Sequence, residues 1–309
     1  MPAQADIELG PAQDAPPGLA RTWFLAVRPR TLPAAVTPVL VGSALAYSDG
    51  VFHAGYAALA AVGAVLIQVG TNLFNDYADF KRGADTAERL GPARVTQRGW
   101  VTPRAVLIAA VLAFALAMLV GVALVARGGW PIVAIGLASV ACGFLYTGGP
   151  APLAYLGIAD LFVFAFFGLV AVGGTYYVQA LRLAETALYA GAALGALCTA
   201  VLVVNNLRDR VGDARAGKRT LAVRFGARFA RGEYVFLLAV AYAIPVVGWA
   251  VGATPVSWLV ALLTLPLAVA RLRGVLANDG AALNRYLGGT AQLMLVYGVV
   301  LAAGVTLWR

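Results

Sequence analysis

Two short acidic segments carry most of the chemistry this chain could perform. The first reads Gly70-Thr-Asn-Leu-Phe-Asn-Asp-Tyr-Ala-Asp79-Phe-Lys-Arg-Gly-Ala-Asp85, and the second reads Asn205-Asn-Leu-Arg-Asp209-Arg-Val-Gly-Asp213-Ala-Arg-Ala-Gly-Lys-Arg219. The whole chain holds 14 aspartates and glutamates, so the placing of Asp76, Asp79, Asp85, Glu88, Asp209 and Asp213 in or beside these segments is a concentration. On a helix Asn75 and Asp79 share a face, and Asn205, Asp209 and Asp213 form one stripe, because side chains four apart are neighbours. Asp85 follows Gly83 and is expected in a loop. Hard oxygen donors of this kind suit Mg²⁺, which is usually held by one or two carboxylates together with substrate phosphates. Two facing segments would hold two ions and bridge a diphosphate between them. Lys81, Arg82, Arg94, Lys218 and Arg219 would neutralise the remaining phosphate charge, arginine through forked contacts and lysine as a point charge. The competing arrangement is an ion-pair network that ties each helix end to its own arginines. For each basic residue taken singly, topology and headgroup contact are an equal alternative.

The elements that must position these segments belong in a bilayer. Of 309 residues 61% are hydrophobic and 12% are charged, against about 25% charged in an ordinary soluble protein. The mean hydropathy is +0.82. A soluble fold of this size has no interior for so much apolar surface, and disordered, coiled-coil, collagen-like and disulfide-scaffold classes are excluded with it. A spanning helix needs about 20 apolar residues. Nine such stretches occur, at about 30–48, 55–78, 104–126, 130–147, 154–178, 186–207, 233–252, 255–271 and 287–308. Pro33, Pro38, Pro245 and Pro266 predict kinks, which neighbouring helices in lipid tolerate. With the N-terminus inside, all of the 23 lysines and arginines except Arg127, Arg182 and Arg309 fall on the inner side. The positive-inside rule asks for that distribution, and eight or ten spans would break it.

The expected class is therefore an all-α, polytopic membrane protein with nine transmembrane helices. A single domain would cover 21–309, after a Pro/Ala/Gln-rich tail over 1–20. That tail carries acids rather than a basic n-region, so it is read as a disordered cytosolic segment and not a signal peptide. The net charge of +9 is mostly orientation. Its residues lie in short loops between spans, so no nucleic-acid partner is expected. Cys142 and Cys198 lie in apolar runs and read as small hydrophobes. His53, the one histidine, reads as a surface residue. Each acidic segment closes an apolar stretch, the second and the sixth. A carboxylate within the membrane costs about 2.5–3.5 kcal/mol on the lenient insertion scale, so both segments call for a compensating cation.

Asn75–Asp79 and Asp209–Asp213 resemble the two aspartate-rich motifs of the UbiA superfamily of intramembrane prenyltransferases. More closely, the chain resembles the dihydroxynaphthoate branch of menaquinone synthesis (the MenA type). That likeness rests on Arg28–Pro33, Gly70–Asp85, Gly91–Gln97, Tyr146–Pro150, Gly173–Tyr177 and Val204–Leu221. It runs from about Ala26 to about Gly226, and the last three spans match only as hydrophobic helices. Many members carry a third acid at the position of Gly83; here Asp85 comes two residues later, a spacing that the naphthoate branch shares. The resemblance implies a UbiA-like bundle in the cell membrane with its site facing the cytoplasm. It implies Mg²⁺-dependent transfer of a polyprenyl group from polyprenyl diphosphate to 1,4-dihydroxy-2-naphthoate, with loss of diphosphate and CO₂ to give demethylmenaquinol. By motif position Asp79 and Asp209 are catalytic, and Asn75, Asp76, Asp79, Asp209 and Asp213 form the metal–diphosphate site. Lys81, Arg94, Lys218 and Arg219 would hold diphosphate or the naphthoate carboxylate. Asn72, Asp85, Asn205, Asn206 and Tyr146 are second in rank. Tyr146, Tyr176, Tyr177, Phe162, Phe166 and Phe167 are candidate liners of a dry chamber that would shield an allylic cation. The alternatives are another aromatic acceptor (4-hydroxybenzoate, homogentisate, a chlorophyllide or haem) and an ion-coupled transporter. A transporter would place acids near the bilayer midplane, where Asp160 is the main candidate.

Overall fold

The computed structural model describes residues 17–83, 90–92, 94–150 and 152–307. Among these no strand forms, and the chain is a bundle of helices. They are α1 (Leu19–Val27), α2 (Pro33–Ser48), α3 (Ala54–Lys81), α4 (Pro103–Gly128) and α5 (Trp130–Leu145). The second half comprises α6 (Ala159–Ala180), α7 (Glu185–Arg215), α8 (Leu221–Ala250), α9 (Val256–Ala277) and α10 (Gly280–Leu307). Residues 1–16 of the expected tail, and Asp85, lie outside the described residues. Leu19 and Ala20, assigned to that tail from sequence, already belong to α1.

Seven of these helices, α3, α4 and α6–α10, are each long and apolar enough to cross a bilayer. An eighth crossing exists if the segments before and after Leu32, bent by 53°, count as one. The bend has local causes. Arg28 takes a left-handed backbone conformation (φ 56°, ψ 68°), and Pro29 and Pro33 each open a new helical segment because they lack an N–H to continue the old one. The remaining apolar stretch forms α5, whose 16 residues span about 24 Å at 1.5 Å per residue. That is short of a hydrocarbon core of about 30 Å, so the described helices yield seven or eight crossings, and a ninth depends on α5. The helix expected from 233 starts twelve residues earlier, at Leu221. Its first three turns carry Arg224, Arg228 and Arg231, which hide it from hydropathy, and it is kinked at Gly226 (φ 83°).

At the centre of the bundle stands α7, which packs against α2, α6, α8 and α10. Its contact with α6 is made through small residues. A Cβ on Gly195 would lie 2.6 Å from the Phe164 carbonyl oxygen, and one on Gly168 would lie 2.3 Å from the Gly191 carbonyl oxygen. Helices in lipid gain by such backbone approach, since no hydrophobic effect drives them together. At this contact α6 opens into a π-turn over Ala165–Val170, and such bulges often mark functional sites. Pro266 marks where α9 changes from 3₁₀ to α geometry.

Candidate active site

The last turns of α3 bury four polar side chains, Asn72, Asn75, Asp76 and Asp79. Asn72 is used structurally. Its amide donates to the Val27 carbonyl at 3.0 Å and to the Thr31 hydroxyl at 2.9 Å, which fixes the bend between α1 and α2. Asp76 anchors the loop that follows α3. One oxygen accepts from the Val95 N–H at 3.2 Å and the other from the Thr96 hydroxyl. That anchoring positions Arg94, whose guanidinium donates to the Asn75 carbonyl at 2.6 Å and to Asp79 Oδ2 at 2.7 Å. The side-chain oxygen of Asn75 accepts from the Thr147 hydroxyl at 2.7 Å.

The second segment is the last three turns of α7 and the residues that follow it. Arg208 grips both oxygens of Asp209, at 2.8 and 2.5 Å, and also donates to Asn205 Oδ1 at 2.8 Å. Its remaining nitrogen reaches Asn284 at 2.9 Å, and Asn284 donates to the Leu90 carbonyl at 2.8 Å. Asp209 is thus held by a guanidinium in this state, where the sequence suggested a free metal ligand. Asp213 is not held in that way.

Lys218 joins the two segments. Its ammonium lies 3.5 Å from Asp79 Oδ2 and 3.5 Å from Asp213 Oδ1. The ends of α3 and α7 therefore meet, as the pairing of their acids required. Burial disfavours the Lys218 ammonium, but Asp79 and Asp213 more than offset that, and its pKa stands above the usual lysine value. The Tyr155 ring lies beneath this charge, 5.7 Å from the Lys218 ammonium and 5.2 Å from the Arg82 guanidinium, within cation–π reach. Arg28 is close enough for its charge to act on Asp79. Its left-handed backbone is strained for a non-glycine residue, a feature that often marks sites.

Not every candidate joins the cluster. Lys81 and Arg219 are exposed at the ends of their segments, and Asn206 is buried. Arg208, Thr147, Tyr155 and Arg28 take part although sequence reasoning gave them no role. Thr147, Arg28 and Arg208 lay in segments singled out for resemblance, which was the only available signal; Tyr155 had none.

An apolar cavity of about 360 Å³ begins where the polar cluster ends. Among its lining residues are Thr71, Cys142, Tyr146, Phe162, Phe166 and Phe167. The Phe162 and Phe166 rings are nearly parallel with centroids 6.2 Å apart. Tyr146 links cavity and cluster, since it is near enough to Asp79, Asp160 and Asp213 to feel the charge of each. Tyr176 and Tyr177 are not liners. The Tyr176 hydroxyl bonds Asp49, and the Tyr177 hydroxyl bonds the Gly128 carbonyl, at the far ends of their helices.

The donor set fits a divalent ion shared with a ligand. Asp79 is 2% exposed, and its Oδ1 is buried without a hydrogen-bond partner, an arrangement that is costly unless something charged is bound there. Among the described residues no three His, Cys, Asp or Glu side chains converge closely enough to hold a metal by themselves. Magnesium commonly completes its shell with phosphate oxygens and water, so such a deficit is ordinary for it.

Residues 35–295 match the UbiA prenyltransferase family. The 1,4-dihydroxy-2-naphthoate octaprenyltransferase of Mycobacterium tuberculosis is 42% identical over 288 residues, covering 92% of this chain and 96% of that protein. Among solved structures, a UbiA homologue from Aeropyrum pernix K1 superposes with a TM-score of 0.69 at 16% identity, covering 91% of this chain and 98% of that one. A UbiA homologue from Archaeoglobus fulgidus bound to DMAPP and Mg²⁺ gives 0.59 at 15% identity, with 91% and 99% covered. With its apolar helices and its paired acidic helix ends, the chain is a multi-pass membrane protein that belongs to the UbiA prenyltransferase family.

Proposed function

We propose that this protein transfers a polyprenyl group from polyprenyl diphosphate to 1,4-dihydroxy-2-naphthoate, with loss of diphosphate and CO₂, in the cell membrane and with its site facing the cytoplasm. The observation that carries the reading is the single ammonium of Lys218 set between Asp79 and Asp213 at one end of an apolar cavity. Membership of the family supports prenyl transfer, and the name of the mycobacterial relative supports the naphthoate acceptor. The positive-inside distribution supports the orientation.

Asp79, Asp213, Asn75 and, once released from Arg208, Asp209 would hold magnesium, most simply as two ions, in line with the Mg²⁺ in the archaeal homologue. Bound there, the metal supplies positive charge to the departing diphosphate. Arg94 and Lys218 add fixed positive charge on the same side, where it stabilises a polyanionic leaving group most. Phe162, Phe166 and Tyr146 turn apolar and aromatic surface toward the space in which the allylic carbon would lie. That surface excludes water and favours a cation near the ring faces. The acceptor's electron-rich ring carbon that bears the carboxylate then bonds to the allylic carbon while the carbon–oxygen bond to diphosphate breaks, and CO₂ leaves from that ring carbon, returning the electron pair of its bond to the ring.

The test is mass spectrometry of the lipid formed by purified protein from dihydroxynaphthoate and a set of prenyl diphosphates. EDTA is expected to stop the reaction and magnesium to restore it. Asp79→Ala and Asp209→Ala should each abolish product while the protein still inserts and purifies. Near wild-type turnover in either variant would refute the shared ion site.

A further inference from the structure

One polar side chain at the site has no role in this chemistry. Asn284 belongs to α10, in the part of the chain where only hydrophobic helices were expected. It follows the 3₁₀ turn Gly280–Leu283 that opens that helix. The turn is held from two sides. Leu283 is fully buried, and Arg231 of α8 donates to the Asn278 carbonyl at 3.0 Å and to Asp279 Oδ2 at 2.9 Å.

Both ends of the Asn284 amide are used. Oδ1 accepts from Arg208 Nη1 at 2.9 Å, and Nδ2 donates to the Leu90 carbonyl at 2.8 Å. With a donor on one side and an acceptor on the other, a single orientation of the amide satisfies both. Arg208 itself is 3% exposed. Its remaining hydrogen bonds stay on α7, to both oxygens of Asp209 and to Asn205 Oδ1. Among the described residues, Asn284 is thus the one hydrogen-bond partner of Arg208 that lies on another helix.

That difference matters when Asp209 is needed elsewhere. Asp209 and Asp213 are neighbours on one helix face, and Asp213 already shares Lys218 with Asp79. An ion bridging that face meets Arg208 on both Asp209 oxygens, so the guanidinium must leave them. A buried guanidinium with no partner is costly. The bond to Asn284 does not involve Asp209 and survives the exchange. It is made to a neutral oxygen, weaker than a carboxylate, so it keeps the guanidinium near without competing for its fork. The anion that arrives with the ion offers what the fork then lacks, since phosphate oxygens match guanidinium geometry.

We propose that Asn284 is a positioning residue: it retains the Arg208 guanidinium at the end of α7 while its fork passes from Asp209 to an oxygen of the diphosphate. This rests on the prenyl-transfer reading above. Only ion-pair partners are exchanged, so no covalent bond is made and no proton moves.

The experiment uses the purified full chain in detergent, with isothermal titration calorimetry of inorganic diphosphate in magnesium buffer beside steady-state kinetics. Asn284→Ala should weaken diphosphate binding and raise the KM for prenyl diphosphate about tenfold, the size of a lost hydrogen bond to a charged group, while the KM for dihydroxynaphthoate stays within about twofold. Asn284→Gln, which keeps the amide, should recover part of the loss. Arg208→Lys keeps the charge and removes the fork. In that background Asn284→Ala should cost less than about twofold, because residues that act through one another are not additive. Unchanged diphosphate binding in Asn284→Ala overturns the assignment. So does a full tenfold loss in the Arg208→Lys background, which would put the action of Asn284 on Leu90 instead. Wild-type protein that binds no diphosphate with magnesium overturns the functional reading, and this inference with it. The calorimetry contains no acceptor, so an error in the acceptor's identity is seen separately, in the product.

Discussion

Lys218 offers a perturbation whose two effects have opposite signs. Its ammonium sits 3.5 Å from a carboxylate oxygen on each side. At an effective dielectric constant of about 20, a unit-charge pair at that distance attracts by about 5 kcal/mol. Two contacts give about 10 kcal/mol gross, opposed by several kcal/mol for taking the ammonium out of water. Its raised pKa says that attraction wins over burial, so the protonated form stabilises the fold. That contribution is complete below the ordinary lysine value and fades only as pH rises through the higher folded one. Replacing Lys218 with methionine keeps the packing and removes the charge. Without metal, the Lys218→Met protein should lose about 2–4 kcal/mol, because Asp213 loses its ion-pair partner and Asp79 keeps only Arg94. With magnesium, the variant should regain stability to a greater degree than wild type does, since the ion no longer competes with an ammonium for the same oxygens. Thermal unfolding in detergent, with and without magnesium, reads both effects. Equal magnesium stabilisation in the two proteins would show that Lys218 does not occupy the metal's place.

Two further perturbations probe the supports of the site. Thr147→Val is nearly isosteric and removes the hydroxyl that holds the Asn75 side chain. A buried acceptor left without its donor costs about 1–3 kcal/mol, so the magnesium concentration for half-maximal turnover should rise roughly tenfold; an unshifted titration would remove Asn75 from the ion site. Gly195→Ala puts a methyl group 2.6 Å from the Phe164 carbonyl oxygen, and overpacking of this kind costs about 1–3 kcal/mol. Gly288→Ala in α10, where a Cβ meets nothing within 4 Å, should instead be neutral or stabilising by up to about 1 kcal/mol. Equal unfolding temperatures for these two variants would contradict the close approach of α6 and α7.

The sequence carried the site only as far as spacing on single helices can carry it. Asn75 with Asp79, and Asn205 with Asp209 and Asp213, share faces because helical geometry requires it, and the apolar stretches before them put both groups at helix ends. What Asn72 and Asp76 do could not be read, because their partners (the Val27 carbonyl, the Thr31 hydroxyl, the Val95 N–H and the Thr96 hydroxyl) come from other segments. Arg208 was hidden for a different reason. Adjacent residues on a helix do not face each other, so nothing local suggests that its long side chain turns back onto Asp209 while reaching Asn284 on α10. Tyr176 and Tyr177 were misplaced by composition alone. They follow Phe166 by ten residues or more, which is about 15 Å of helix, and that distance carries them to the other end of α6. The short α5 was overestimated because Tyr146 and Thr147 look apolar enough to extend it, whereas in the structure they turn into the site.

Every carboxylate at the two helix ends is spoken for in the state described. Asp79 and Asp213 share Lys218, Arg94 also holds Asp79, Arg208 holds Asp209, and loop donors hold Asp76. This pairing is what makes acids tolerable at the edge of a membrane. On the proposed function, a divalent ion and a prenyl diphosphate would compete for opposite partners of the same ion pairs. An ion drawn to the carboxylates would displace Lys218 and Arg208, and a diphosphate would give those cations somewhere to go. Each ligand would then remove the penalty that the other meets alone, and reciprocity would require each to raise the affinity of the other by the same factor. Asp79 Oδ1 is buried with no hydrogen-bond partner, so an ion can begin to bind there without first breaking a pair.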